Sequence, residues 1–566
     1  MQKLLKTVVY TALAASIFVA PIAITPLYAQ ASLPQLGDGE DMSVVAERKL
    51  GNRIAREIYR DPDYLDDPLV SDYVQRIWQP LLKAARQRGE ITPEQDARFA
   101  WEVMLARDRT VNAFALPGGY LGVHLGLIAL VGNRDELASV LAHELSHVTQ
   151  RHIARITSKQ SQQAPWLLGA LILGTLAARK NSDAASAVIT GSQAASAQAQ
   201  LNFSRDMERE ADRIGYQVMQ DAGFAVQGFV GMFDKLALAN RINDNGSFPY
   251  LRTHPLTSER IGDMQARMQL GAPAALLEAQ QALAIEHAII SNRARLLANP
   301  STEVLRAELQ RARTAINAPA TTSTSNAVST NASAAIIKRI AELTSGAWAA
   351  LRLREPDTAL QLAKLAGETL KNNQNQAVMP VDYAQTAIDL IASEAALAQL
   401  DPARAIALLE RAMQAPSMGD ATSNPSGHTM PRPVLLQFAR AATALGVASG
   451  ATSGARSEAN AQALVQASDK LQSWLADHPR DALAWDALAD VFSAQGLSLR
   501  ALRAQAESRV AVLDYSAALD RFKAAQALAL TPGRNSSIDH VEASIIDARA
   551  RAVLTQLKEF ESEKPN

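Results

Sequence analysis

Apolar residues recur at helical spacing from Val45 to Arg60 and again from Val70 to Arg88, which predicts two amphipathic helices. The period then changes. Phe99, Trp101, Val103 and Leu105 alternate with other residues, as in a strand. Val111–Leu116 and Tyr120–His124 flank a Pro117-Gly118-Gly119 turn and read as a β-hairpin, its glycines supplying the turn angles. Asn133-Arg134-Asp135-Glu136 places a capping residue and carboxylates at the start of a further helix, expected to run through Arg155. Ala164 to Ala178 is an apolar run shorter than the ~20 residues a helix needs to span a bilayer. It reads as a buried or lid-like helical hairpin, or alternatively as a segment dipping into a membrane.

From about Ala275 the chain reads as helix after helix, with Ala- and Leu-rich runs near 276–296, 301–316, 334–353, 356–371, 382–399, 402–414, 433–446, 459–476, 482–495, 498–513 and 515–530. Trp485, Leu488, Ala489, Phe492, Gly496 and Ala501 match the tetratricopeptide pattern, and Ala518, Phe522 and Ala525 repeat its second-helix signature, as do Ala405, Leu409 and Ala412 less sharply. Small residues there let two helices approach while Trp and Phe fill neighbouring holes. A generic α-solenoid or helical bundle is the plainer alternative. Ser/Thr/Gly-rich stretches at 321–326, 417–433 and 449–457 read as loops inserted between helices.

With 566 residues there is length for two or three domains. The formal net charge is −1 without long runs of one sign, so nucleic acid is not expected as a partner. Sparse aromatics and abundant Ala suit close-packed helices better than a β-sandwich, so the fold class is mainly α with a small β-sheet. There is no cysteine, which excludes thiolate metal sites, cysteine nucleophiles, disulfides and a lipid-modified N-terminal cysteine. Lys3 and Lys6 precede an apolar run to about Ala20 and small residues up to Ala29, as in an export signal cut near Ala29, with an uncleaved anchor as the alternative. The expected division is a signal peptide at 1–29, a catalytic domain at 30–274 and a helical repeat domain at 275–566. The expected location is the periplasm, with at most peripheral membrane contact.

The chemistry concentrates in Leu137–Val148, an apolar, helix-forming run that contains His143-Glu144-Leu145-Ser146-His147. At i and i+4 the two imidazoles project from one face, so two neutral nitrogens can bind one zinc ion while Glu144 reaches a water beside it as general base. A half-exposed helical histidine pair is the bland alternative. His152 does not fit the position of a further ligand in a longer motif, because Gln150 and Ile153 stand where Gly and His would be required, and it reads as a residue behind the ligands or at the surface. In Ser204–Asp212, Glu208 and Asp212 share a helix face, which suits a carboxylate ligand with a second carboxylate that orients a ligating imidazole. Glu210 would point sideways. A strand beside the His143–His147 helix could pair with an extended peptide, or be an ordinary sheet edge. His287, His428, His478 and His540 are scattered and carry no evident chemistry.

His-Glu-x-x-His followed about 60 residues later by Ser204-Arg205-x-x-Glu208-x-x-Ala211-Asp212, with Asn112-Ala113-Phe114-Ala115-Leu116-Pro117-Gly118-Gly119 upstream, resembles the HtpX/CAAX-prenyl-protease family of zinc metallopeptidases. The resemblance is dense in the catalytic half and only architectural beyond it. It implies a zincin-type domain holding one zinc ion on His143, His147 and Glu208, with Glu144 as base and Asp212 behind the ligands. The chain lacks the multiple spanning helices of the family's membrane members. It is more similar to exported members with a helical extension, whose expected partners are misfolded or stalled outer-membrane proteins and the β-barrel assembly machinery, held by the helical repeats, with a chaperone-like role beside proteolysis. A tetratricopeptide-type adaptor with a latent or structural zinc site is the rival expectation. Arg252–Arg260 resembles a His-Pro segment of such proteins, in which His254 approaches the metal. His254 could fill the open coordination position, donate to an oxyanion, or cap the next helix, since Pro255 and Glu259 suit a helix start.

Overall fold

The computed structural model describes residues 42–159, 205–241, 247–268, 277–317, 329–373, 383–414, 430–452, 458–530 and 537–562. The export-signal reading and the apolar run at 164–178 lie outside these residues.

The N-terminal half starts with α1 (Val44–Arg60), whose cap Ser43 accepts the amide of Ala46 at 3.1 Å. Leu50, Ile54 and Ile58 form its buried face at helical spacing. After β1 (Tyr64–Leu65), α2 (Pro68–Gln87) opens with Asp67 as cap and Pro68 in the first turn, where a missing N–H costs nothing. α3 (Pro93–Arg98), β2 (Glu102–Ala106), β3 (Ala113–Leu116) and β4 (Tyr120–His124) follow. The sheet order is β1-β2-β4-β3, with β3 antiparallel and β2 parallel to β4. The expected hairpin is present, and Gly118 and Gly119 make its turn at φ 73° and 85°. The strand expected from Phe99 begins instead at Glu102, because Trp101 sits at φ 51° and interrupts the extended backbone.

α4 (Leu125–Leu130) leads to α5 (Arg134–Thr149), whose cap Asn133 accepts the amide of Glu136 at 2.9 Å. α5 is buried on every side, as a central core helix must be. It ends before the expected Arg155: Arg151 turns at φ 52°, and α6 (His152–Lys159) starts afresh. The Arg151 guanidinium bonds the carbonyl of Met42 and, at 2.8 Å, Glu47, which holds the turn. α7 (Arg205–Asp221) packs along α5, and Gly215 brings the two backbones together, since a Cβ there would lie 3.1 Å from the Ala142 carbonyl. α8 (Gln227–Arg241), α9 (Tyr250–Thr253) and α10 (Ser258–Met268) complete this half.

α11 (Leu277–Ala298) belongs to two cores at once: Ile290 and Ala294 join the N-terminal one, Ile285 and Ile289 the next. Its His287 is buried, accepting from the Tyr73 hydroxyl at 2.7 Å and donating to the Val131 carbonyl at 2.9 Å, so it fastens α11 to the N-terminal half. Helices α12 (Thr302–Asn317), α13 (Ser329–Arg352), α14 (Pro356–Asn373), α15 (Tyr383–Ala398), α16 (Pro402–Gln414), α17 (Arg432–Thr452), α18 (Glu458–Asp477), α19 (Ala482–Gln495), α20 (Ser498–Ala511), α21 (Tyr515–Ala529) and α22 (Ser537–Ser562) form the helical C-terminal region. Leu488, Ala489, Phe492 and Ala501 share one core, and Ala518, Phe522 and Ala525 another. Gly496 ends α19 at φ 80°, the left-handed cap a glycine allows.

This region is tied back to the N-terminal half at several points. Asp67 bonds Arg293 of α11 twice, at 2.8 and 2.7 Å, and neighbouring Asp66 bonds Arg432 of α17 at 3.0 and 2.6 Å. Arg480 reaches Glu102 of β2 at 2.6 Å. Leu513 packs with Leu50, Ile54, Leu116 and Tyr120.

Candidate metal centre

One turn of helix separates His143 from His147 on α5, and their Nε2 atoms lie 3.0 Å apart. α7 brings Glu208 to the same point: Oε2 lies 3.5 Å from His143 Nε2 and Oε1 3.4 Å from His147 Nε2. His254, directly after α9, adds its Nδ1 at 3.0 Å from Glu208 Oε1 and 3.3 Å from His143 Nε2. One donor atom from each of these four residues lies within 4.8 Å of all the others. All four are buried.

Asp212, one turn beyond Glu208, accepts from His143 Nδ1 at 2.9 Å, which leaves Nε2 as that ring's inward-facing nitrogen. Arg260 grips Asp212 from behind through Nε at 2.6 Å and Nη2 at 2.8 Å. Its Nη1 reaches Glu208 Oε2 at 2.8 Å and the Pro255 carbonyl at 2.9 Å. Glu144 is fully buried. The β3 amide of Ala115 donates to its Oε2 at 2.9 Å, while Oε1 has no hydrogen-bond partner and lies 3.5 Å from His254 Nε2.

The sequence-derived residues His143, Glu144, His147, Glu208, Asp212 and His254 are thus brought together by α5, α7 and the turn after α9. His152 is also part of the cluster, with Nδ1 2.8 Å from His147 Nδ1 and Nε2 3.1 Å from Glu210 Oε2. Arg260 closes the His-Pro segment, and its role there is not legible in the sequence. The signal that could find it is its place in the first turn of α10, five residues beyond Pro255.

The electrostatics favour a cation. Glu144, Glu208 and Asp212 bring three buried carboxylates, and among the described residues in contact with them Arg260 is the one permanent cation. Burial alone would lower the His143 pKa, yet its hydrogen bonds to the Asp212 and Glu208 carboxylates hold it up to about 10. Burial would raise the Asp212 carboxyl, but Arg260 and His143 carry it below the usual range. Two imidazoles and a carboxylate, with further oxygen donors at hand, are the donor set that zinc accepts. A divalent ion would also bring three carboxylates and one guanidinium to neutrality.

The residues that build this centre lie inside one matched segment. Residues 68–268 match peptidase family M48. They form an M48 domain. The resemblance drawn from the motifs therefore holds, and the M48 domain contains every residue of the centre. The β-barrel assembly-enhancing protease of Escherichia coli (strain K12) is 32% identical over 252 residues, covering 43% of this chain and 49% of that protein. The protein of the same name from Yersinia pestis is 35% identical over 247 residues, with 43% and 48% covered. A mitochondrial metalloendopeptidase of Saccharomyces cerevisiae (strain ATCC 204508 / S288c) is 29% identical over 231 residues, 38% of this chain and 62% of that protein. The chain spans about half the length of the bacterial relatives it matches. Among the described residues no helix is long and apolar enough to cross a membrane.

Proposed function

We propose that the protein is an exported, periplasmic zinc endopeptidase acting on misfolded or stalled outer-membrane proteins. In this reading 1–29 is a signal peptide, 30–274 the peptidase domain, and 275–566 a tetratricopeptide-type domain that holds the β-barrel assembly machinery and lends a chaperone-like role. The M48 match and relatives named as β-barrel assembly-enhancing proteases support it. The observation that carries it is the convergence of His143, His147 and Glu208 beside the unbonded Oε1 of Glu144.

His143, His147 and Glu208 would hold the ion, which supplies Lewis acidity toward a peptide carbonyl and toward water. Glu144 is the general base. Its Oε2 is anchored by Ala115, so Oε1 is the oxygen left to receive a proton from water and return it to the departing amine. Asp212 keeps the His143 proton on Nδ1, and Arg260 keeps Asp212 ionised. β3 is the sheet edge next to α5 and can pair with an extended substrate backbone, orienting the scissile bond toward Glu144.

His254 describes the resting state in this reading. It stands against Glu144, Glu208 and His143, stacks on Tyr250 at 4.6 Å between ring centres, and seals a site with no exposed ligand. The turn carrying it must withdraw before a peptide reaches Glu144. That closure also favours the rival reading, a helical adaptor with a latent centre.

Cleavage of an unfolded outer-membrane protein, with bound zinc measured in parallel, separates the two. Glu144→Gln should lower turnover by about 10²–10⁴-fold while zinc stays stoichiometric, and His254→Ala should raise it. Absence of cleavage by both wild type and His254→Ala, with zinc bound, would leave the adaptor reading standing.

A further inference from the structure

The two histidines of α5 are backed by different partners. His143 Nδ1 meets a carboxylate directly, Asp212, which is held by Arg260. His147 Nδ1 meets a second imidazole, His152, at 2.8 Å; His152 Nε2 meets Glu210 at 3.1 Å, and Arg155 holds Glu210 at 2.9 Å. Each arm therefore ends on an arginine.

On one continuous helix, residues five apart point about 140° away from each other. His152 faces His147 only because the chain turns at Arg151 between α5 and α6. The ring is fully buried, so its nitrogens must find partners within the protein.

We infer that His152 and Glu210 are positioning residues for the metal, setting His147 in the tautomer that turns the Nε2 lone pair to the ion. The inference rests on the metallopeptidase reading above and concerns the proton order behind it. A neutral His147 that ligates through Nε2 carries its proton on Nδ1, so it donates to His152 Nδ1. His152 then carries its own proton on Nε2, where Glu210 accepts it. The reverse order puts a lone pair of His152 against a carboxylate and an N–H of His147 against the ion. Glu210 thus selects the ligating order from two residues away. Glu208, Glu210 and Asp212, on successive alternate positions of α7, serve as ligand, remote selector and direct orienter.

The test measures Zn²⁺ affinity of the full chain by competition with a chromophoric chelator, with thermal unfolding of the metal-free proteins alongside. His152→Leu removes the acceptor and should weaken Zn²⁺ binding about 10–100-fold, and Glu210→Gln about tenfold, while His152→Gln, which can still accept and donate, should stay within about threefold of wild type. In the zinc-loaded protein, ¹⁵N spectra should show His152 protonated on Nε2. Wild-type affinity in both His152→Leu and Glu210→Gln, or a His152 proton on Nδ1, overturns the inference. Should His152→Leu fail to fold, the partly exposed Glu210→Gln decides by itself, and unchanged affinity there overturns it. A wild type that takes up no zinc removes the metallopeptidase reading and this inference together; a wild type that binds zinc beside indifferent variants removes the inference alone.

Discussion

Replacing Arg260 with Met tests the charge balance of the metal centre. The guanidinium makes two hydrogen bonds to Asp212 and one to the Pro255 carbonyl, pairs as a charge with Glu208, and is only 4% exposed. Methionine keeps much of the packing against Phe233, over which the Arg260 side chain lies. What is lost is the positive charge. With a divalent ion present, three carboxylates then face two positive charges, and Asp212 is left as a buried anion with His143 as its remaining partner. Leaving one member of a buried ion pair unmatched costs about 3–5 kcal/mol. For a domain of about 200 residues, 2–4 °C per kcal/mol converts this to a fall of about 6–20 °C in melting temperature. Differential scanning calorimetry of the full chain, with and without zinc, reads it on the transition that zinc shifts. Arg260→Lys should fall between the two, because one ammonium cannot make the forked contact with Asp212. A change below about 1 kcal/mol in Arg260→Met would refute the reasoning and show that the centre is charge-balanced in some other way.

Other perturbations have equally definite expectations. Burial holds the His124 pKa down at about 4, against 6.5 in the unfolded chain, so the unfolded state binds more protons between those values. Its stabilising contribution is complete above 6.5 and is lost as pH falls toward 4; urea midpoints across this range should drop in wild type and drop less in His124→Asn. Asp67→Ala removes both the cap of α2 and the partner of Arg293, and should cost about 3–5 kcal/mol, seen as faster hydrogen exchange in α11. Gly228→Ala would put a Cβ 2.2 Å from the Asp135 carbonyl oxygen and push α8 off the start of α5. A loss of about 1–3 kcal/mol is expected by denaturant titration.

The centre was legible where local periodicity encodes it. Spacing of four residues on a helix suffices to place His143 with His147 and Glu208 with Asp212, and the Asn133 cap with Asp135 and Glu136 marks where α5 begins. The tie between the two helices is a long-range contact, and only the motif resemblance paired them. Arg151 hid the break before α6, because a non-glycine residue at positive φ leaves no compositional trace. That break is why His152 could be read as either surface or interior. The parallel pairing of β2 with β4 was equally hidden, since strand alternation says nothing about direction. His287 looked incidental because a lone histidine on a helix carries no sign of the Tyr73 hydroxyl it will meet. In the helical region the Trp/Phe-and-Ala pattern did locate the packed pairs, since small residues at close crossings are a local requirement.

The adjacent acids Asp66 and Asp67 hold Arg432 and Arg293, which lie more than a hundred residues apart in the chain. Helices α12 to α16, which run between those arginines, are therefore a loop pinned at both feet to one junction, rather than an arm swinging from a single shoulder. Displacing either foot, α11 or α17, would pull on the short link between β1 and α2. That link sits at one end of a sheet whose opposite edge, β3, donates the Ala115 amide to Glu144, so the helices and the candidate metal centre are fastened to one four-stranded unit.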